Sequence, residues 1–124
     1  MSNQKANIKS GRKGEKMTVE QLSETTGFTA VVLPDKSRMV DGAYVGDLLS
    51  WVMGRAKSDN AWITIMSNLN VIAVASLTDV SCVIFAEGVT PDKELIDIAE
   101  SKGVNLLVSE ASSYYTAVKL SGLI

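Results

Sequence analysis

The sequence predicts an α/β domain. It should hold a mostly parallel sheet of four strands, or slightly more, with helices on both faces. Three observations carry this. Helix-like and strand-like segments alternate from Thr18 onward, and strands separated by helices pair in parallel. The run Ser81-Cys82-Val83-Ile84-Phe85 is nearly all apolar, as a strand covered on both faces must be. A length of 124 residues with 46% apolar and 21% charged side chains suits one globular core.

Thr18-Val19-Glu20-Gln21 reads as a capping box, a hydroxyl followed three residues later by Gln. A short helix to about Thr25 follows, ended by Gly27. Phe28 to Leu33 is a β-branched run closed by Pro34, the first strand. Lys36 to Gly42 is polar and reads as loop or hairpin. From Val45 to Ala56 the spacing predicts a helix, with Val45, Leu48, Leu49, Val52, Met53 and Ala56 on one face. Tyr44 and Trp51 lie beyond its edge, so the apolar arc spans roughly 200°, about twice what one core contact needs.

Ala61 to Met66 is the second strand, broken by Ser67-Asn68-Leu69-Asn70. Val71 to Val80 is apolar apart from Ser76, Thr78 and Asp79. The need for a crossover makes it a helix, one apolar nearly all round and expected to be buried nearly all round. Ser81–Phe85 is the third strand, and Glu87-Gly88 turns the chain. Thr90 as N-cap and Pro91 at the first helical position open a helix to Lys102, ended by Gly103. Val104 to Val108 is the fourth strand, and the last helix runs from Tyr114 to about Leu120.

Charge is unevenly placed. Residues 1–16 carry five basic side chains against Glu15, net +4, and the remainder carries seven bases against 13 acids, net −6. The acidic remainder is a poor match for a nucleic-acid backbone. No apolar run approaches the length of a membrane span, and no apolar segment follows the basic N-terminus as in a secretory signal. With Cys82 alone in an apolar strand, a reducing cytoplasm is the expected setting. Residues 1–16 are expected to be a disordered tail outside the fold. Arg12-Lys13-Gly14-Glu15-Lys16 directly before Met17 has purine-rich codons, as a ribosome-binding site read in frame would have. Met17 as natural start and a genuine tail both fit this pattern.

The chain has no histidine and one cysteine. That removes histidine general bases, Ser–His–Asp triads and an intramolecular disulfide. No cofactor or metal site is expected. Gly11 to Lys16 lacks the phosphate-loop spacing and no strand precedes it. Asp92, Glu94, Asp97 and Glu100 read as a solvated helix face. In open parallel sheets ligands bind beyond the carboxyl ends of the strands. Those ends carry Ser67, Asn68 and Asn70, then Glu87 and Gly88, then Ser109. Ser67 and Asn68 also stand at a helix N-terminus, which suits an anion. These six are the candidate ligand residues. Tyr44, Leu48 and Trp51, with the apolar helix Val71–Val80, are the candidate interface of a homodimer or higher oligomer.

Thr18 to Ile124 resembles the DRTGG domain, in particular its small stand-alone bacterial and archaeal members. The matching segments are Tyr44 to Ser50 with Val52-Met53, then Trp62-Ile63-Thr64, then Asn70 to Ala75, and Glu87 to Asp92 with the helix after it. The resemblance implies a regulatory or ligand-sensing α/β module, found also within phosphate acetyltransferases and between the CBS repeats of some pyrophosphatases. It is similar as well to the non-catalytic N-terminal domain of HPr kinase. The name-giving motif is altered here. Ala86-Glu87-Gly88 stands where T-G-G would fall, and Ser67-Asn68-Leu69-Asn70 has no D-R element. Related stand-alone members carry a histidine where Asn68 stands.

Two functions remain open on these grounds. One is a non-catalytic module that senses a nucleotide or other small anion, or meets an unidentified protein partner, as a homo-oligomer. The other is a small enzyme acting on a phosphorylated or nucleotide substrate at the strand ends.

Overall fold

Parallel neighbours need a crossover connection, which a single helix supplies, and a right-handed crossover puts each helix on a side set by the direction of travel. A computed structural model describes residues 16–124 and shows both rules at work. The elements are β1 (Met17–Thr18), α1 (Val19–Thr26), β2 (Thr29–Val32), β3 (Met39–Val40), β4 (Ala43–Val45), α2 (Leu49–Arg55), β5 (Ala61–Thr64), α3 (Leu69–Thr78), β6 (Cys82–Phe85), α4 (Lys93–Lys102), β7 (Leu106–Val108) and α5 (Ser113–Ser121). The main sheet has the order β2-β7-β6-β5-β4. Strands β4 to β7 are parallel and march one way across it. Their three crossover helices, α2, α3 and α4, therefore share one face. Strand β2 closes the sheet antiparallel to β7, and α1 and α5 cover the second face.

Strand alternation divides the core. Trp62, Val83, Phe85, Leu106 and Val108 point to the three-helix face, among Val52, Val71, Val74, Ala75, Leu95 and Ala99. Ala61, Ile63, Cys82, Ile84 and Leu107 point to the other face, among Leu22, Phe28 and Leu120. Trp62 is fully buried, and its indole Nε1–H donates to the Gly46 carbonyl at 2.9 Å.

The capping box forms as expected, with the Thr18 hydroxyl accepting from Gln21 N and the Gln21 side chain accepting from Thr18 N. Four expectations need correction. Val45–Ala56 is not one helix. Tyr44 and Val45 belong to edge strand β4, paired with Trp62 and Ile63, and the helix begins at Leu49. Asp47 is the reason. Its carboxylate accepts from the Thr64 hydroxyl at 2.8 Å and from Ile65 N at 2.9 Å, which ties the segment to the end of β5. Gly46 assists, since a Cβ there would stand 2.8 Å from the Tyr44 ring. The 200° arc is thus no helical face. Second, the polar stretch after Pro34 includes β3, which pairs antiparallel with β1. Third, α4 is capped by Asp92, which accepts from Leu95 N at 2.9 Å; the Thr90 hydroxyl instead donates to the Gly88 carbonyl. Fourth, α3 is buried along Val71, Ile72, Val74 and Ala75 but leaves Leu69 and Leu77 in solvent, Leu77 at 73% exposure.

The expected tail, residues 1–16, lies outside the described residues except for Lys16. That ammonium stands 3.5 Å from the Asp41 carboxylate. No helix among the described residues is long and apolar enough to cross a membrane.

Candidate functional site

The carboxyl ends of the parallel strands are where this fold can open. After β5 and β6 the chain turns to the three-helix face. After β7 it turns to α5 on the opposite face. Neighbouring connections that leave in opposite directions create the crevice where open α/β sheets take ligands, and here it falls between β6 and β7. The structure fills that crevice with backbone. Glu87 N donates to the Ala111 carbonyl at 2.8 Å and Gly88 N to the Ser109 carbonyl at 2.9 Å. Both residues are left-handed, with φ of 61° and 69°. Their amides are spent on the neighbouring loop and are not free for an anion. The left-handed φ favours glycine at residue 88, and a Cβ there would also lie 2.7 Å from the Glu110 carboxylate, which would have to swing aside.

Ser109 is equally committed. Its hydroxyl and that of Thr116 are 2.7 Å apart, both buried, and it also accepts from Ala111 N. It fixes the start of α5. The structure therefore brings Glu87, Gly88 and Ser109 together as one interlocked corner.

Ser67, Asn68 and Asn70 lie elsewhere. Asn68 caps α3, its side-chain oxygen accepting from Asn70 N at 2.9 Å. Ser67 and Asn68 border a cavity of about 190 Å³ whose far wall carries Asp92 and Glu94. Two carboxylates beside the helix N-terminus oppose the field that would draw an anion there.

A larger hollow adjoins Ser109 on the two-helix face. It measures about 520 Å³ and is lined by Phe28, Glu110, Tyr115, Val118 and Lys119, with Thr26 and Gly27 at its rim. That is within the range of small-molecule sites. The Lys119 ammonium donates to the Thr26 carbonyl at 2.9 Å, capping the C-terminal end of α1, and stands 5.9 Å from the centre of the Phe28 ring. The strand-end rule led to Ser109 but missed this hollow. Its sequence signals are Phe28 directly after the helix-ending Gly27, and Tyr115 with Lys119 one turn apart on α5.

The remaining chemistry is quiet. Burial pushes the Cys82 thiol up to about 12, and it lies among apolar neighbours. Among the described residues no group of three or more potential ligand side chains is placed to hold a metal. Of the interface candidates, Leu48 and Trp51 are 61% and 54% exposed, and the Arg55 guanidinium lies 3.9 Å from the centre of the Trp51 ring. Tyr44 is half-buried and packs against the three-helix core.

Residues 30–123 match the DRTGG domain model. No curated protein matches the chain. Among solved structures the chain is similar to the CBS and DRTGG domains of the regulatory region of Clostridium perfringens pyrophosphatase, complexed with the activator diadenosine tetraphosphate. The TM-score is 0.72 at 15% identity, over 87% of this chain and 47% of that one. The chain thus spans about half the length of that relative, and the likeness is one of fold.

Proposed function

The chain belongs to the DRTGG domain family, and from that premise we propose that it is a non-catalytic regulatory module that senses a small ligand and works as a homo-oligomer. The observation that carries the reading is the family match combined with the strand ends themselves. Of the groups that the strand-end rule selects there, the Asn68 side chain, the Glu87 and Gly88 amides and the Ser109 hydroxyl are engaged in holding the fold. A helix cap, a left-handed corner and a buried hydroxyl pair are all structural roles. The chain has no histidine and its one thiol is buried in the protonated form, which removes a histidine base and a thiolate nucleophile. The similar pyrophosphatase fragment is a regulatory region bound to a dinucleotide activator, which supports a nucleotide as the class of ligand here.

The oligomer reading rests on apolar exposure. Leu48 and Trp51 stand out from the start of α2, and Leu77 from the end of α3. A second copy covering the Trp51 face would bury an aromatic anchor with a cation beside it, as interface centres often do.

Two measurements test the reading. A thermal-shift panel of nucleotides should raise the melting temperature with at least one member, without turnover of it; a ligand at 100 times its Kd adds about 2.7 kcal/mol. Turnover would revive the small-enzyme alternative, and silence across the panel would remove the ligand-sensing reading. Light scattering at micromolar concentration should give at least a dimer for the wild type and a monomer for Trp51→Glu. A wild-type monomer refutes the oligomer.

A further inference from the structure

The hollow beside Ser109 has a composition that selects among ligands, a step that rests on the ligand-sensing reading above. Its floor is the Phe28 ring, 8% exposed, and one wall is Tyr115, 65% exposed. Tyr115 is held edge-on by Tyr114, with ring centroids 4.9 Å apart. Two charged groups of opposite sign face the space. Lys119 keeps one ammonium hydrogen on Thr26 O, lies 5.9 Å from the centre of the Phe28 ring, and makes no other hydrogen bond or ion pair among the described residues. Glu110 makes no ion pair or hydrogen bond among the described residues, and its carboxylate lies where a side chain on residue 88 would collide with it. The rim is also the C-terminal end of α1, whose carbonyls present negative charge.

This combination disfavours a phosphate chain. One ammonium offset by one carboxylate and a helix C-terminus gives no net attraction for several negative charges. It favours a neutral planar ring that stacks on aromatic walls, gives hydrogen bonds to a carboxylate and accepts one from an ammonium. Nucleobases have both donor and acceptor groups on one edge and a π-face that stacks on any aromatic. We propose that the hollow between α1, β2 and α5 binds the base of a nucleoside, between Phe28 and Tyr115, with Glu110 and Lys119 on its edge and any phosphates outside in solvent.

The probes are adenosine, guanosine and their 5′-triphosphates, titrated into the full chain while backbone amide resonances are followed. The expected result is a saturable shift centred on Gly27, Thr29, Glu110 and Ala111 with at least one nucleoside. The matching triphosphate should bind within about threefold, because exposed charges at this rim add little. Tyr115→Ala should weaken binding about tenfold or more, the usual effect of removing one stacking partner. Glu110→Gln should change the preference between the two nucleosides. Both positions are exposed, and an unchanged melting curve certifies each variant as folded. Shifts centred on residues 67–70 would overturn the placement while leaving ligand sensing intact. So would a triphosphate that binds while its nucleoside does not. If signals around the hollow respond only to protein concentration, it is a contact between copies and the proposal fails. If no probe moves any resonance the proposal also fails, and the thermal-shift panel then decides separately whether the sensing reading goes with it.

Discussion

The two ends of the parallel strands are built on different plans. At the amino ends a belt of hydrogen bonds runs across the sheet. Asn60 donates to the Asp41 carbonyl, Ser81 donates from backbone and side chain to the Asn60 carbonyl, and Asn105 donates to the carbonyls of Ser81 and Asp35 while accepting from Asp35 N. Arg38 fastens the belt from outside, 2.9 Å from the carboxylates of both Asp59 and Asp79. At the carboxyl ends the side-chain bonds are separate pairs, and the link from the end of β6 to the loop after β7 is made by backbone amides alone. Asp47 serves the end of β5, Asn68 serves α3, and Ser109 serves α5. A connected end holds the strands in register. An end made of separate corners leaves gaps between them, and both cavities that border the candidate ligand residues lie there.

The sharpest way to break this contrast is Asn105→Ala. Asn105 is 1% exposed and satisfies three backbone groups from two other segments. Removing it should cost about 3 kcal/mol, read as a lowered midpoint in urea denaturation at unchanged slope. A loss below about 1 kcal/mol would mean that the belt is not a connected unit.

Arg38→Met should cost about 2 kcal/mol by the same measurement, since the guanidinium makes several charge-assisted bonds from a partly buried position. This deficit carries a pH signature. The Ser58 hydroxyl, and then the Arg38 guanidinium, hold the Asp79 carboxyl below the usual carboxylate range. A depressed folded value gives stability that is present above the unfolded value, about 3.9, and lost as pH falls through the folded one. The gap between wild type and Arg38→Met should therefore narrow in acid, in denaturation curves from neutral pH to about pH 3. A gap that stays constant would show that Asp79 takes no part.

Gly88→Ala acts at the opposite end. The left-handed φ and the close Glu110 carboxylate together should cost about 1–2 kcal/mol. Pairing it with Glu110→Ala in a double-mutant cycle should recover the share due to the collision. Additive effects would assign the whole cost to backbone conformation. Asn68→Ala removes only a helix cap and should cost about 1 kcal/mol. Smallest of all, a chain starting at Met17 should melt within about 3 °C of the full-length chain. Met17 itself is 1% exposed and paired with Val40, so removing it as well should lower the melting temperature clearly.

Local patterns were legible where one segment decides its own structure. The capping box at Thr18 and the glycines after α1 and α4 all act within a few residues. The buried runs at Ala61 and Cys82 declare strands because only a two-sided cover suits them. The largest misreading was Val45 to Leu48, whose apolar spacing satisfies a helix as well as an edge strand. The deciding contact is Asp47 with Thr64 and Ile65, which no local spacing reveals. The strand-end rule pointed to Ser109, which borders a hollow, but gave no sign of the hollow itself. Phe28, Tyr115 and Lys119 are far apart along the chain, and they meet only because β2 pairs antiparallel with β7 and α5 turns to the second face. Composition and short-range pattern determined the class of fold, the ends of α1 and α4 at their glycines, and the absence of histidine chemistry. Tertiary structure alone decided which strand stands at the edge, which polar groups are already spent, and where an unfilled space remains. Those outcomes depend on long-range pairing, and its energy is not written in any single segment.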